Sequence, residues 1–130
     1  LELSTGRRLW EQNIAGISTP WISGEWLYVL AEDAKLYCLA RGNGKVRWIS
    51  DLGAFRNVKK RKGPIIWTGP VLAGGRLISV NSLGQIVSVS PTTGEKLDTI
   101  KGSGAFSLSP IVANNTLYVT DATGRITAYR

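Results

Sequence analysis

The chain has no histidine and one cysteine, Cys38. Without histidine it lacks the commonest general base and the commonest metal ligand, so a Ser-His-Asp triad, a Cys-His pair and most zinc sites are excluded within this segment. A lone cysteine forms no internal disulfide, so cysteine usage does not fix the compartment. In the strand-like run "LYCLA" it reads as a small buried hydrophobe. No apolar run approaches the ~20 residues of a membrane span. The opening "LELSTGRRLW" lacks the apolar stretch and small-residue cleavage site of a signal peptide. It reads as the interior of a repeat, and the chain is therefore expected to be part of a longer protein, with any targeting signal upstream. Sustained helical periodicity is absent throughout.

What is present suits a folded β domain. At 130 residues, with 43% hydrophobic and 19% charged residues, the chain is long and apolar enough for one globular body. Fifteen glycines and five prolines stand at turn-like points. The net charge of +7 is a local matter. Arg41, Lys45, Arg47, Arg56, Lys59, Lys60, Arg61 and Lys62 face Asp51 alone, while the rest of the chain carries equal numbers of basic and acidic residues.

The sequence repeats. Pro20, Pro70 and Pro110 align, as do Leu27, Leu77 and Leu117, at spacings of 50 and 40 residues. Gly6, Gly44 and Gly94 give a second frame, at 38 and 50. Such a period with short alternating segments marks one supersecondary unit used repeatedly, whose copies must stack to bury their faces. Strands are expected at 17–23, 26–31, 35–40 and 46–51, again at 66–73, 76–81, 85–90 and 96–100, and at 106–113, 116–120 and 126–129. A lone fourth strand is expected at 7–14. The runs "WLYVL" and "LISV" are apolar on both faces, as strands sandwiched between two other sheets must be. The expected fold is all-β: propeller blades of four antiparallel strands. Residues 1–16 are the fourth strand of a preceding blade, 17–65 a blade with a basic insert, 66–105 a second blade and 106–130 an incomplete last one. Three blades do not close a ring, so either further blades precede the segment or copies self-associate, the N-terminal strand of one completing the last blade of another.

The stretch "LELSTGRRLW" carries most of a propeller signature, with Glu2 at an acidic position followed by Thr5, Gly6 and Trp10. "NGKVRW" keeps Gly44 and Trp48, and "TTGEKLD" keeps Thr93 and Gly94 but has Asp98 where tryptophan is expected. On these residues the chain resembles the pyrroloquinoline-quinone-type repeat superfamily. Within it, "GPIIWTGPVLAGGRLISVNSLGQIVSVSPTTGE" and "NNTLYVTDATGRITAYR" resemble the BamB-like family. The resemblance implies the last three blades of an eight-bladed, non-catalytic scaffold at the periplasmic face of a Gram-negative outer membrane. It further implies protein partners in β-barrel insertion and an upstream lipid anchor as the only membrane attachment. It also implies that Thr5, Gly6, Trp10, Gly44, Trp48, Thr93 and Gly94 dock blades, the tryptophan wedging between sheets and the Thr-Gly turn aiming it.

Chemistry is sparse. Glu25, Glu32, Asp33, Asp51, Glu95, Asp98 and Asp121 lie mostly in turns and read as solvated, with no convergent carboxylate pair. "GNG" and "GSG" open no helix and read as turns rather than phosphate cradles. No catalytic residue, metal ligand or cofactor is expected. The basic insert, with Arg56, Lys59, Lys60, Arg61 and Lys62, is the candidate partner-contact loop, since loops on rigid scaffolds often carry function. It lacks interleaved aromatics beyond Phe55, so nucleic acid is not the expected partner. The rival readings are a fragment of a quinoprotein dehydrogenase and a propeller sensor domain of a receptor or kinase.

Overall fold

A computed structural model describes residues 8–16, 20–57, 62–102 and 104–130, and contains no helix among them. The first sheet has β1 (Trp21–Ser23), β2 (Trp26–Leu30), β3 (Lys35–Ala40) and β4 (Val46–Asp51), antiparallel and in chain order. A two-stranded ribbon of β5 (Phe55–Asn57) and β6 (Lys62–Pro64) follows. The second sheet has β7 (Trp67–Ala73), β8 (Arg76–Asn81), β9 (Gln85–Val89) and β10 (Lys96–Lys101), and the third β11 (Ile111–Ala113), β12 (Thr116–Thr120) and β13 (Ile126–Tyr129).

The turns explain the registers. Between β7 and β8, Gly74 and Gly75 both take positive φ, and between β11 and β12 Asn114 and Asn115 do the same. Two positive-φ residues make the turn whose twist matches antiparallel strands, and glycine and asparagine accept it at least cost. Between β3 and β4 the register slips at Cys38 and Leu39, which pair with Trp48 and Val46 and leave Arg47 unpaired. Fifty residues later Ser88 and Val89 pair with Asp98 and Lys96, leaving Leu97 out. This repeated bulge sets which face position 48 or 98 presents.

The sheets pack face to face. Tyr28, Leu30, Cys38 and Trp48 of the first meet Leu77, Val87 and Val89 of the second. Val71, Ile78, Val80 and Ile86 of the second meet Phe106 and Val119 at the third. The middle sheet is thus apolar on both faces, which is why β8 and β9 read as nearly continuous hydrophobic runs. Each fully buried Leu or Val is worth about 1.5–3 kcal/mol of transfer free energy.

The links between sheets are latched by backbone bonds in the same repeating frame. Leu52 N donates to Ala34 O (2.9 Å) and Gly102 N to Gly84 O (2.7 Å), tying each link to the β-turn of the sheet it leaves. Glu32 N donates to Ala15 O, Ser82 N to Ile66 O and Ala122 N to Ala105 O, tying each link to the sheet it enters. Asn81, fully buried, organises one such turn: its Oδ1 accepts from the N–H groups of Leu83 and Gln85, and its Nδ2 donates to Gln85 Oε1. Asp121 does the same job forty residues on, accepting from Thr123 N, Thr123 Oγ1 and Arg125 N.

Four expectations change. Asp121 is buried, 5% exposed, rather than solvated, because its carboxylate replaces the water that the turn N–H groups would need. The expected strand at 7–14 is not one over residues 8–14: no described strand lies beside it to pair with, and side chains hold it instead. The strand expected at 106–113 narrows to Ile111–Ala113, with Phe106 making a single bridge to Asp121. The basic insert is no plain loop, since its flanks pair as β5 and β6.

Candidate functional site

Two features stand out from the stacked sheets: the tryptophan seats that join them and the basic ribbon. Trp48, 9% exposed, leaves β4 toward the second sheet. Its Nε1 donates to Pro91 O (3.0 Å), and its ring lies on Gly94 so closely that a Cβ built there would stand 2.6 Å from Cε3. Tyr28 packs beside it, ring centroids 6.2 Å apart. Trp10 repeats the arrangement one sheet earlier, donating from Nε1 to Arg41 O (2.7 Å) with its ring on Gly44, while Gln12 Nε2 donates to Gly44 O (2.7 Å). The glycine turn thus has a contact beyond the aiming role that the resemblance implied. It receives the tryptophan of the sheet before. Thr93 shapes such a seat by accepting from Glu95 N (3.2 Å), and Asn43 does this in the first sheet for Lys45 N (2.9 Å). Thr5 and Gly6 lie outside the described residues.

Asp98 stands at the register position of Trp48, and there the wedge is missing. Its carboxylate pairs instead with Arg76 Nη1 (2.7 Å), an exposed ion pair worth at most about 1 kcal/mol. In the first sheet Arg47 stacks on Trp26, 4.2 Å from the ring centroid. Trp21, Trp26 and Trp67 are half-buried against the first core cluster.

The ribbon is clamped at its base. Ile65 N donates to Ala54 O (2.8 Å), Trp67 Nε1 to Gly53 O (2.7 Å) and Gly53 N to Asp51 Oδ1 (3.0 Å). Phe55 pairs with Pro64 and Asn57 with Lys62. Arg56 and Lys62 thus lie on the ribbon's backbone, whereas Lys59, Lys60 and Arg61 fall outside the described residues.

Cys38, on β3, is fully buried between the first and second sheets. Desolvation raises its pKa, with Arg47 pulling the other way, so the thiol stays protonated and unreactive at neutral pH. Burial likewise raises Tyr28, with Cys38 adding and Arg47 opposing. No group of three His, Cys, Asp or Glu side chains among the described residues is placed to hold a metal ion. The side chains with many partners serve turns and seats.

A profile of the family described as outer membrane protein assembly factor BamB matches residues 1–50 and 52–130. The chain belongs to that family. A BamB from Alkalilimnicola ehrlichii is 26% identical over 98% of this chain and 31% of its own length. The crystal structure of BamB from Moraxella catarrhalis superposes with a TM-score of 0.72 at 20% identity, over 99% of this chain and 42% of that one. A quinohemoprotein alcohol dehydrogenase from Pseudomonas putida gives 0.70 at 15% identity over 93% of this chain and 20% of that one, which shows the shared fold alone. The chain therefore spans about a third to two-fifths of the BamB relatives it matches. The fold is a β-propeller of the BamB type, and the sheets are its blades.

The carbonyl halves of the seats, Arg41 O and Pro91 O, escaped sequence reading because every residue has a carbonyl. The burial of Asn81 and Asp121 did leave a signal, since the two stand 40 residues apart in the repeat, each followed by a turn and a strand-like run.

Proposed function

We propose that this chain is a non-catalytic portion of an outer-membrane assembly factor, a rigid scaffold that holds protein partners during β-barrel insertion at the periplasmic face of a Gram-negative outer membrane. The observation that carries the reading is the family match over nearly the whole chain. The polar groups of the structure support it: the buried Asn81 and Asp121 side chains organise turns. We place the blades at 17–65, 66–105 and 106–130, within a ring of eight, with residues 1–16 belonging to a preceding blade. Thr5, Gly6, Trp10, Gly44, Trp48, Thr93 and Gly94 are the blade-docking set. An acid-free cationic insert braced on a rigid blade suits an anionic protein surface, steering encounter as much as holding it. Arg56, Lys59, Lys60, Arg61 and Lys62 are its contact residues.

The test is functional replacement. A strain lacking the full protein is expected to accumulate less folded outer-membrane barrel protein, and the gene should restore it. Normal barrel levels in the deletion strain would sink the proposal. Saturable binding of pyrroloquinoline quinone with calcium, coupled to dye reduction, would overturn its non-catalytic part. For the insert, replacing Lys59, Lys60, Arg61 and Lys62 with serine is expected to leave unfolding free energy within about 0.5 kcal/mol of wild type, as for other surface changes. The same variant should lower partner capture at low salt. Loss of the folded state would show instead that the insert is structural.

A further inference from the structure

Each link between sheets passes over the turn that joins the second and third strands of the sheet it leaves, and the two links do so differently. By register Trp67 and Phe106 are counterparts, since they pair with Asn81 and Asp121. Before Phe106 the link is short and lies on its turn. Phe106 N donates to Asn81 O (3.0 Å), and Gly104 O stands 2.7 Å from where a Cβ on Gly84 would be. Before Trp67 the chain leaves Leu52 for the ribbon and returns at Ile65, and a hollow of about 220 Å³ stays open at the turn. Gly16, in the link before the first sheet, walls one side and Ile65, Ile66 and Trp67 the other, with Ala31 and Ala34 of the turn between them. The hollow is thus bounded by two of the chain's own links and lies at neither end of the sequence. It is smaller than the ~300–1,000 Å³ of a small-molecule site and suits a single side chain.

The polar groups along the outgoing link already have partners. Ile65 N donates to Ala54 O, Ile66 N to Ser82 Oγ, Ser82 N to Ile66 O and Trp67 Nε1 to Gly53 O. What these residues offer an occupant is hydrocarbon, and Ile66 is 60% exposed. Charge is divided across the hollow. Glu32 lines it beside Gly16. On the other side the ribbon rises from Ile65, with Arg56 and Lys62 on its strands and no acid from Phe55 to Pro64. We propose that the hollow takes an aliphatic side chain of an extended segment from the protein partner, with an acidic residue beside it on the ribbon side. An acid facing Glu32 would be repelled, so the segment lies in one direction only. The pocketed aliphatic anchor supplies affinity and the charged rim supplies direction. The acidic half rests on the contact role proposed for the insert, and the apolar half does not.

The probe is N-acetyl-aspartyl-leucine amide, titrated into the full-length protein with methyl, backbone and indole chemical shifts as readout. Saturable shifts at Ile65, Ile66 and the Trp67 indole are expected, with affinity at least about tenfold above that of the alanine analogue, or about 1.4 kcal/mol. Ile66→Asp, at an exposed position, should keep the fold and abolish binding, while Ile66→Val should bind. Replacing Lys59, Lys60, Arg61 and Lys62 with serine should weaken binding at low salt and retain the preference for leucine over alanine. Equal affinity for the leucine and alanine probes, with that salt effect intact, would overturn the pocket and spare the role of the insert. Unchanged affinity in the serine variant would overturn the acidic half and that role together. No saturable binding, shifts mapping elsewhere, or wild-type binding by Ile66→Asp would each overturn the proposal. So would a probe-free dimer that Ile66→Asp dissociates, which would make a second copy the occupant.

Discussion

Trp48→Ala is expected to destabilise the protein by about 3–5 kcal/mol, the range for truncating a buried large aromatic. The side chain has no slack around it. Its ring is sandwiched between Tyr28 and the backbone at Gly94, its Nε1 satisfies Pro91 O, and it belongs to the cluster that glues the first blade to the second. Removing it leaves a void the size of an indole and one carbonyl without its donor. Neither sheet can collapse into the gap without breaking the links latched at Ala34 and Ser82. Urea unfolding measures the loss as a lower midpoint with the denaturant slope retained. A cost below about 1 kcal/mol would mean that the joint relaxes and that Trp48 is no wedge. Trp10→Ala should cost less, since its segment is largely exposed and forms no strand over residues 8–14.

Gly94→Ala is the second large effect, expected at about 2–5 kcal/mol, and it tests the same seat from the other side. Two penalties add. Gly94 sits at φ +79°, where a side chain costs roughly 1–2 kcal/mol. A methyl there also runs into the Trp48 ring 2.6 Å away, and overpacking of this kind costs about 1–3 kcal/mol. The two are separable by a double-mutant cycle. In the Trp48→Ala background the collision vanishes, so adding Gly94→Ala should then cost only the backbone part, about 1–2 kcal/mol. Full additivity would show that the ring and the glycine do not bear on one another. The cycle thereby measures how strongly the glycine turn and the preceding blade's tryptophan bear on one another.

Much of this architecture was legible before any coordinate. The proline and leucine frames at 50 and 40 residues gave the number of units, and the two-faced apolarity of "WLYVL" and "LISV" required sheets on both sides. Glycine and asparagine pairs marked the tight turns because few other residues accept positive φ. The segment at 7–14 has the pattern of a fourth strand, but residues 8–14 form none here, since a strand needs a neighbour to supply its hydrogen bonds. Asp121 misled because acids in turns are usually solvated, and only the inward-facing N–H groups of Thr123 and Arg125 turn it inside.

The sequence by itself determined the repeat, the strand content, the turns, the lack of histidine chemistry and the confinement of excess charge to one insert. All of these rest on local preferences or on counting, which need no partner in space. Only the tertiary structure decided which glycine seats which tryptophan, that the insert is clamped as a ribbon, and that Asp98 pairs with Arg76. Those outcomes depend on residues from 11 to 46 positions apart along the chain, and on a bulge that fixes which face each side chain takes. Contacts of that span follow from how sheets stack, and a single sequence carries no direct mark of them.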